Sequence, residues 1–497
     1  MYYPDINDFN KLKTGSYVSI FKELPADDLT PVSVYENLGT PVNSFLLESA
    51  QKHEKTGKYS LIGFSPYLLF KSKNKSIEII KFSKKSKKIY TKNGSPLKEL
   101  QKLLEKKKTV KLPSICPFQG GCVGYFGYET VHFFENIPLR KSDDLNLPDL
   151  YFLFFDNVII FDHFKNKIQI LKSIKISQNK KKSYENCIES LNHIEKLIRN
   201  NTYKEYTLKD RNINNIDHLI ISNYTKTDYI KMVEKTKEYI CAGDIFQANL
   251  SQRFSTNFSG TPFLLYKTLR EINPSPFACF FNFKDFQVVS SSPERLIKLE
   301  NQNIETRPIA GTRPRGDTTE EDNKLSKELM LSPKERAEHI MLVDLERNDL
   351  GRVCEYGTVH VDELMVLEKY SHVIHIVSNI KGKLKIGKNW IDILQATFPG
   401  GTITGTPKVR CMEIIEELEN VNRYIYTGSA GYISFTGDLD FNILIRTIII
   451  KDGNAYMQAG GGIVADSIPE KEYYETLYKA QALINALKIY KKQYQQY

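Results

Sequence analysis

The sequence predicts an α+β fold, and three observations predict it. Helical and strand-like stretches are mixed without the steady strand–helix–strand rhythm of a parallel sheet. Strand-like runs come as neighbours joined by short turns, as in 151–161 with 167–176 and 430–436 with 440–450. No stretch repeats at a fixed period, which excludes solenoids and arrays.

In chain order, residues 14–80 read as short strands and one helix, with Phe45 to Ala50 and Lys58 to Gly63 strand-like. A Lys-rich hairpin spans 71–93, Asn93-Gly94 being a turn signal, and a helix follows over 96–107. Gly120 to Tyr128 is a strand-turn whose glycines suit tight backbone packing. A helix over 182–199 leads into the polar stretch 200–223, which lacks periodicity and marks a boundary. The chain therefore divides into an N-terminal region, 1–200, and a second region, 224–497.

In the second region a helix over 226–242 sets Tyr229, Val233, Thr236 and Ile240 on one side and stops at Gly243. Strands are predicted over 244–254, 277–283, 286–291 and 294–299. Arg307 to Gly316 reads as a loop, His372 and His375 lie on a strand-like run ending at Lys381, and Phe398 to Pro407 is a Gly/Thr loop before a helix.

The bulk numbers exclude several classes. The 497 residues, 41% hydrophobic and 26% charged, have the balance of a soluble globular protein. No apolar run approaches the roughly 20 residues that span a bilayer. The first residues resemble neither a signal nor a transit peptide, so work in the cytoplasm, or in a plastid stroma for an organelle-encoded chain, is expected. Seven scattered cysteines, none in a CxxC pair, point to a reducing compartment without structural zinc. The net charge of +10 sits largely in short runs (Lys84-Lys85 with Lys87-Lys88, Lys106 to Lys108, Lys180 to Lys182) that lack aromatic interleaving. These read as solvated loops, and no nucleic-acid partner is expected.

The chemistry centres on Ser332 to Arg352. Ser332 offers an N-cap, Pro333 the first helical position, Glu335 a capping-box acid and Gly351 a stop. Apolar residues on nearly every side predict a buried helix. Glu338 shares a stripe with Met341, Leu342 and Leu345, where a carboxylate costs several kcal/mol unless a cation or donors meet it. Glu335 and Glu338 can be a helix cap and an internal ion pair and nothing more. Glu472 and Glu475, however, repeat the Glu-x-x-Glu spacing on a helix opened by Ser467-Ile468-Pro469, with Lys479 one turn on. Two converging acidic pairs would form the hard oxygen site that Mg²⁺ prefers.

Alternation on a 440–450 strand puts Arg446 on the face of Leu444, Ile448 and Ile450, as a carboxylate grip or an internal salt bridge. Gly460-Gly461-Gly462 can present backbone N–H groups to an anion or simply turn the chain. His375 can be an ordinary core histidine, and Thr402 an N-cap. Together these residues imply a small ligand with at least two carboxylates. The glycine motifs of phosphate and dinucleotide loops are absent.

From Tyr224 to the end the chain resembles the chorismate-utilising enzymes. The resemblance rests on Pro274-Ser275-Pro276-Phe277, Ser291-Ser292-Pro293-Glu294, PIAGTRPRG from Pro308, the 332–352 helix, FPGGTITGTPK from Phe398, YTGSAGYISF from Tyr426, AGGGIVADS from Ala459 and EYYET from Glu472. It implies two large antiparallel sheets packed orthogonally, helices outside, and the N-terminal region joined intimately to them. It implies Mg²⁺ with Glu338 and Glu475 as direct ligands and Glu335 and Glu472 acting through water, Glu335 also counting as catalytic. Arg446, Tyr426 and the Gly460 to Gly462 backbone resemble the grip on the enolpyruvyl carboxylate. Lys479, beside the ring carboxylate and also counting as catalytic, and Gln247 would touch substrate. Thr402 and His375 resemble the active-site polar pair, His375 assisting pyruvate elimination.

Two positions narrow the chemistry. Family members that add water carry Lys where this chain has Gln247 and Glu where it has Arg307. Those forming 4-amino-4-deoxychorismate generally carry Lys where it has Ala310. The resemblance thus implies the branch that adds ammonia to chorismate and releases anthranilate and pyruvate, with aminodeoxychorismate formation as the alternative. No glutaminase nucleophile motif is present, so ammonia would come from a separate glutamine amidotransferase subunit in a hetero-oligomer such as a heterotetramer. Leu47-Glu48-Ser49 resembles the family's feedback motif. With Pro276, Phe277, Ala278, Tyr432 and Asp440 it would form a distal L-tryptophan site; otherwise it is a strand edge.

Overall fold

The computed structural model describes residues 2–50, 57–83, 86–107, 109–112, 116–138, 141–200, 220–369 and 373–494. The predicted boundary at 200–223 falls mostly outside the described residues, as do Lys84, Lys85, Lys108 and His372.

Two large antiparallel sheets, of 13 and 12 strands, form the body of the protein. Strands such as Leu150–Phe155 and Gly121–Phe126 are buried on both faces, so side-chain alternation supplies two cores at once. Val123, Tyr125, Tyr151, Leu153 and Phe155 meet Phe45, Leu61, Val158 and Ile160 of the other sheet, filling the space between the sheets. Their alternates Cys122, Phe126, Leu150, Phe152 and Phe154 pack outward with Leu97, Leu100, Val343, Leu350 and Ile393 of the covering helices. On the far side of the first sheet, Ile159, Phe161, Ile168 and Met457 pack against Leu191, Leu265, Leu483 and Leu487. The order of layers is helices, sheet, sheet, helices.

Both sheets run unbroken from N-terminal to C-terminal strands. In the first, Ser44–Glu48 pairs with Phe277–Asn282, Leu47 opposite Cys279. In the second, Gly121–Phe126 pairs with Ser429–Ser434, Gly124 facing Gly431.

At three places the chain passes from one sheet to the other, and two of these crossings cut a strand expected whole, 151–161 and 440–450. The 151–161 run breaks at Asp156, leaving Leu150–Phe155 in the second sheet and Asn157–Asp162 in the first. Gln287–Ser292 of the first sheet passes through Pro293 and Glu294 into Arg295–Glu300 of the second. The 440–450 run ends as a second-sheet strand at Asn442, crosses over 443–446, and resumes in the first sheet as Thr447–Lys451. Arg446 is therefore not on a strand face with Leu444, Ile448 and Ile450. It occupies a bend with φ +52°, because alternation continues across the crossing while the backbone does not.

The last two crossings lie side by side and are tied together. Ile443 N donates to Glu294 O at 3.0 Å and Ser291 N donates to Arg446 O at 3.1 Å.

Other expectations change in detail. The presumed loop 307–316 contains the strand Ile309–Pro314, paired with Val373–Lys383, and a helix Thr319–Leu331 follows it. The Pro333–Gly351 helix is capped by Ser332 as expected, but it is not buried all round. Ile340 is 41% exposed and Asp344 and Arg347 face solvent, while His339, Leu342, Val343, Glu346, Asp349 and Leu350 face inward. Gly351 is the last helical residue rather than a left-handed stop. Lys107 and Lys180 are not simply solvated: Lys107 pairs with Asp156 at 2.7 Å over the Tyr67 ring, and Lys180 donates to Asn10 O and Leu12 O. The seven cysteines are free thiols, six of them buried. Among the described residues no helix is long and apolar enough to cross a membrane.

Arg423 clasps the segments around the site. Its fully buried guanidinium binds Glu419 through Nε (3.0 Å) and Nη2 (2.6 Å), and donates to Asn249 O and Ile403 O at 2.6 and 3.0 Å. Removing one partner strands a buried charge. Arg423→Ala is expected to lower unfolding free energy by about 3–5 kcal/mol, read as a shifted urea midpoint with the slope unchanged.

Candidate active site

The site lies where the paired crossings, the Gly400–Thr406 loop, the end of Asn454–Ile463 and the helices Pro333–Gly351 and Pro469–Tyr494 converge. Glycine at 460 is dictated by close approach. A Cβ there would lie 2.5 Å from Asn249 Oδ1, 2.6 Å from Leu250 O and 2.8 Å from Tyr426 Oη. These glycines continue a strand in register with Gln247–Asn257, not a sharp turn. Gly461 faces the acidic helix: its missing Cβ would be 3.3 Å from Glu472 Oε2 and 3.7 Å from Glu475 Oε1. Gly462 lies against Gln247 Nε2 at 2.6 Å by the same measure. Lys479 Nζ donates to Gly460 O at 3.1 Å and pairs with Glu475 at 2.8 Å.

The two Glu-x-x-Glu pairs approach one another. Burial, then the charge of Glu335 and also that of Glu475, push the Glu338 carboxyl above the ordinary range, against the pull of Lys334 and Lys479. Burial and Glu475 do the same to Glu472, whose Oε2 is buried without a hydrogen-bond partner. Glu335 does not close a capping box: its Oε1 takes Arg313 Nη1 at 3.3 Å and its Oε2 faces Gly311. Among the described residues no three His, Cys, Asp or Glu side chains are grouped closely enough to hold a metal ion as they stand. The donors nevertheless suit a hard divalent cation. They are oxygen only and partly desolvated, with mutual repulsion that a cation would relieve and an orphaned carboxylate oxygen ready to turn to it.

No carboxylate among the described residues pairs with Arg446; burial depresses its pKa, and the hydroxyls of Tyr478 and Tyr426 are the groups that offset this. The charge of Arg446 adds to burial in holding His375 neutral, at a pKa of about 4. His375 Nδ1 lies 2.9 Å from Thr312 Oγ1 and 3.4 Å from Gly311 O. A carbonyl only accepts, so the ring proton belongs on Nδ1, leaving Nε2 as the basic nitrogen. Thr402 caps no helix; its Oγ1 is buried and unbonded, beside Glu294.

Glu294 is the residue that sequence reasoning missed, although it stands in the quoted Ser-Pro-Glu block. It is 5% exposed, with Oε1 lacking a partner, and burial raises its pKa to about 7. A Glu between two strands ordinarily faces water; only the crossing turns it inward. Asn249, whose Oδ1 is likewise buried and unpaired, went unnoticed on an alternating strand. Arg307 is consumed structurally by Glu363 and Glu368.

The residues expected at a distal site, Glu48, Ser49, Pro276, Phe277, Ala278, Tyr432 and Asp440, line one cavity of about 560 Å³ between the sheets. Glu48 accepts from Tyr266 and Arg270, Asp440 binds Arg295 bidentately at 3.0 and 3.1 Å, and Ser49 Oγ lies 3.0 Å from Tyr59 O and 3.3 Å from Pro276 O, able to donate to either.

Residues 42–485 match the family described as chorismate binding enzyme, and the chain belongs to that family. It is 43% identical to anthranilate synthase component 1 of Acetivibrio thermocellus over 98% of this chain and 99% of the relative. It is also 43% identical to aminodeoxychorismate synthase component 1 of Bacillus subtilis over 89% of this chain and 91% of that one. The crystal structure of anthranilate synthase component I from Streptococcus pneumoniae superposes with a TM-score of 0.74 at 35% identity, covering 87% of this chain and 93% of that one.

A carboxyl that stays protonated when folded but ionises when unfolded costs stability as pH rises. Between 4.5 and about 7 the unfolded chain has released the Glu294 proton and the folded one has not. Wild-type unfolding free energy is therefore expected to fall across that window more steeply than that of Glu294→Gln, measured by urea titration at successive pH values.

Proposed function

We propose that this protein converts chorismate and ammonia to anthranilate and pyruvate, as the chorismate-binding subunit of an anthranilate synthase. Ammonia would be supplied from glutamine by a separate amidotransferase subunit. One observation carries the reading: the carboxylates of two helices draw together in one chamber, while no carboxylate among the described residues pairs with Arg446. That pattern suits a substrate with two carboxylates, one met by a cation and one by Arg446.

Glu338 and Glu475 would hold Mg²⁺ directly, and Glu335 and Glu472 through water. When bound, the ion supplies positive charge for the ring carboxylate and offsets charge developing as the C4–O bond breaks. Arg446, Tyr426 and the Gly460 to Gly462 backbone take the enolpyruvyl carboxylate, with Lys479 and Gln247 beside the ring, so the substrate is held at two ends. Glu294, protonated near neutrality and next to Thr402, gives its proton to the C4 hydroxyl, which leaves as water while ammonia adds at C2. The spare proton of the new ammonium passes to solvent. The C2 hydrogen then leaves as a proton to His375 Nε2, the enolpyruvyl group departs and is protonated to pyruvate, and the ring becomes aromatic.

A second reading, 4-amino-4-deoxychorismate formation, is favoured by the Bacillus subtilis relative. Ala310, where such enzymes generally carry a lysine nucleophile, weighs against it. Chorismate with ammonium and Mg²⁺ separates the two: fluorescent anthranilate supports the first, and accumulation of a non-aromatic amine overturns it. Glu338→Gln is expected to abolish turnover with ammonia as well as with glutamine; near wild-type ammonia-dependent turnover would sink the metal assignment.

The distal cavity is proposed to bind L-tryptophan as a feedback inhibitor. Ser49→Ala is expected to raise the half-inhibitory tryptophan concentration roughly tenfold, about 1.4 kcal/mol, with kcat and KM for chorismate unchanged in an inhibition titration.

A further inference from the structure

Below Glu338 the carboxylate helix carries two more acids on the same stripe. Glu335, Glu338, Leu342, Glu346 and Asp349 are spaced three, four, four and three residues apart, which aligns them along one face. Glu346 and Asp349 are 9% and 5% exposed, and the chemistry above uses neither.

Thr306 Oγ1 lies 2.6 Å from Glu346 Oε2 and 2.9 Å from Leu296 O. One hydroxyl proton cannot serve both oxygens. With it on the Leu296 carbonyl, which only accepts, the contact to Glu346 requires a proton on the carboxyl. Burial, with the nearby charges of Glu294 and Asp349, favours the same protonated form.

A cavity of about 10 Å³, the volume for one water molecule, is bounded by Glu346 and Asp349. Its other walls include Gly401, next to Thr402, and Ile443, whose N–H is bonded to Glu294 O. Arg295 also borders it, but its guanidinium is taken up by Asp440 and Glu305. Asp349 is shared with a second cavity of about 250 Å³ that reaches the exposed residues Asn348, Arg352 and Val409. There Lys408 Nζ sits 2.6 Å from Asp349 Oδ2.

We propose that Glu346 and Asp349 form a proton path joining Glu294 to solvent behind the carboxylate helix. The inference rests on the reading of Glu294 as the acid. After Glu294 gives its proton to the departing hydroxyl, the Glu346 O–H passes one to the Glu294 carboxylate. Glu346 is refilled through the water-sized cavity from the Asp349–Lys408 end, where bulk water supplies the proton. The proton released by the ammonium adduct balances the one taken up.

The test uses the full chain with chorismate, ammonium and Mg²⁺. Glu346→Gln, which keeps shape but cannot relay, is expected to lower kcat roughly 10- to 100-fold, with KM for chorismate unchanged and a larger solvent deuterium isotope effect on kcat. Glu346→Ala is expected to regain turnover with added formate, a carboxylic acid small enough for the space. Independently of turnover, wild type should show an infrared band of a protonated carboxyl that Glu346→Gln lacks. Wild-type kcat and isotope effect in Glu346→Gln, or loss of activity without formate rescue and with no band to lose, would overturn the path. Failure of the acid reading shows separately, as wild-type turnover in Glu294→Gln. Should Glu346→Ala not fold, the isosteric Gln variant and the infrared band carry the decision.

Discussion

Two peptide segments leave their sheets side by side, one through Pro293 and Glu294, the other through residues 443–446, and each satisfies backbone groups of its neighbour. A buried backbone that abandons its ladder must find other hydrogen-bond partners. Here each crossing is the partner of the other, so neither can shift alone. That mutual dependence turns Glu294 inward at the end of one strand and bends Arg446 into the chamber before the next. The Arg423–Glu419 clasp extends the constraint by holding the Gln247–Asn257 strand and the Ile403 loop against the same place.

The chamber concentrates unfavourable electrostatics that the surrounding layers must tolerate. Glu338 and Glu472 lie half-buried and buried near like charges, no carboxylate among the described residues pairs with Arg446, and polar atoms of Gln247, Asn249, Glu294 and Thr402 lack partners. Elsewhere in the interior, buried charges such as Arg295 and Arg423 are fully paired. Like-charged carboxylates and a guanidinium without a carboxylate partner, brought into one chamber, suit a charged ligand.

Much of the secondary structure was legible because the relevant physics is local. Ser332-Pro333 opened a helix as its capping chemistry requires, and Tyr229, Val233 and Thr236 fell on a buried face. The crossings were not legible. Apolar alternation continues through Asp156 and through 443–446, so the pattern reads as one strand although its halves belong to different sheets. The interior stripe of the carboxylate helix was only half read. Glu335 and Glu338 stand out through a spacing repeated at Glu472 and Glu475, whereas Glu346 and Asp349, beside Arg347 and Asn348, have no such repeat to single them out. The Glu48, Ser49 and Asp440 grouping came from family resemblance alone, since nothing local in those residues says that they line one cavity.

Because Ser44–Glu48 and Gly121–Phe126 each supply the neighbour on which a C-terminal strand is laid, the chain cannot be halved at 200–223 without cost. A C-terminal fragment would bare two raw strand edges, on Phe277–Asn282 and Ser429–Ser434, together with the aromatic layer they shelter. Exposed edges of that kind recruit whatever chain is at hand. Truncation would therefore yield aggregation rather than a smaller catalyst, and the portion of the chain farthest from the chemistry is what keeps the remainder monodisperse.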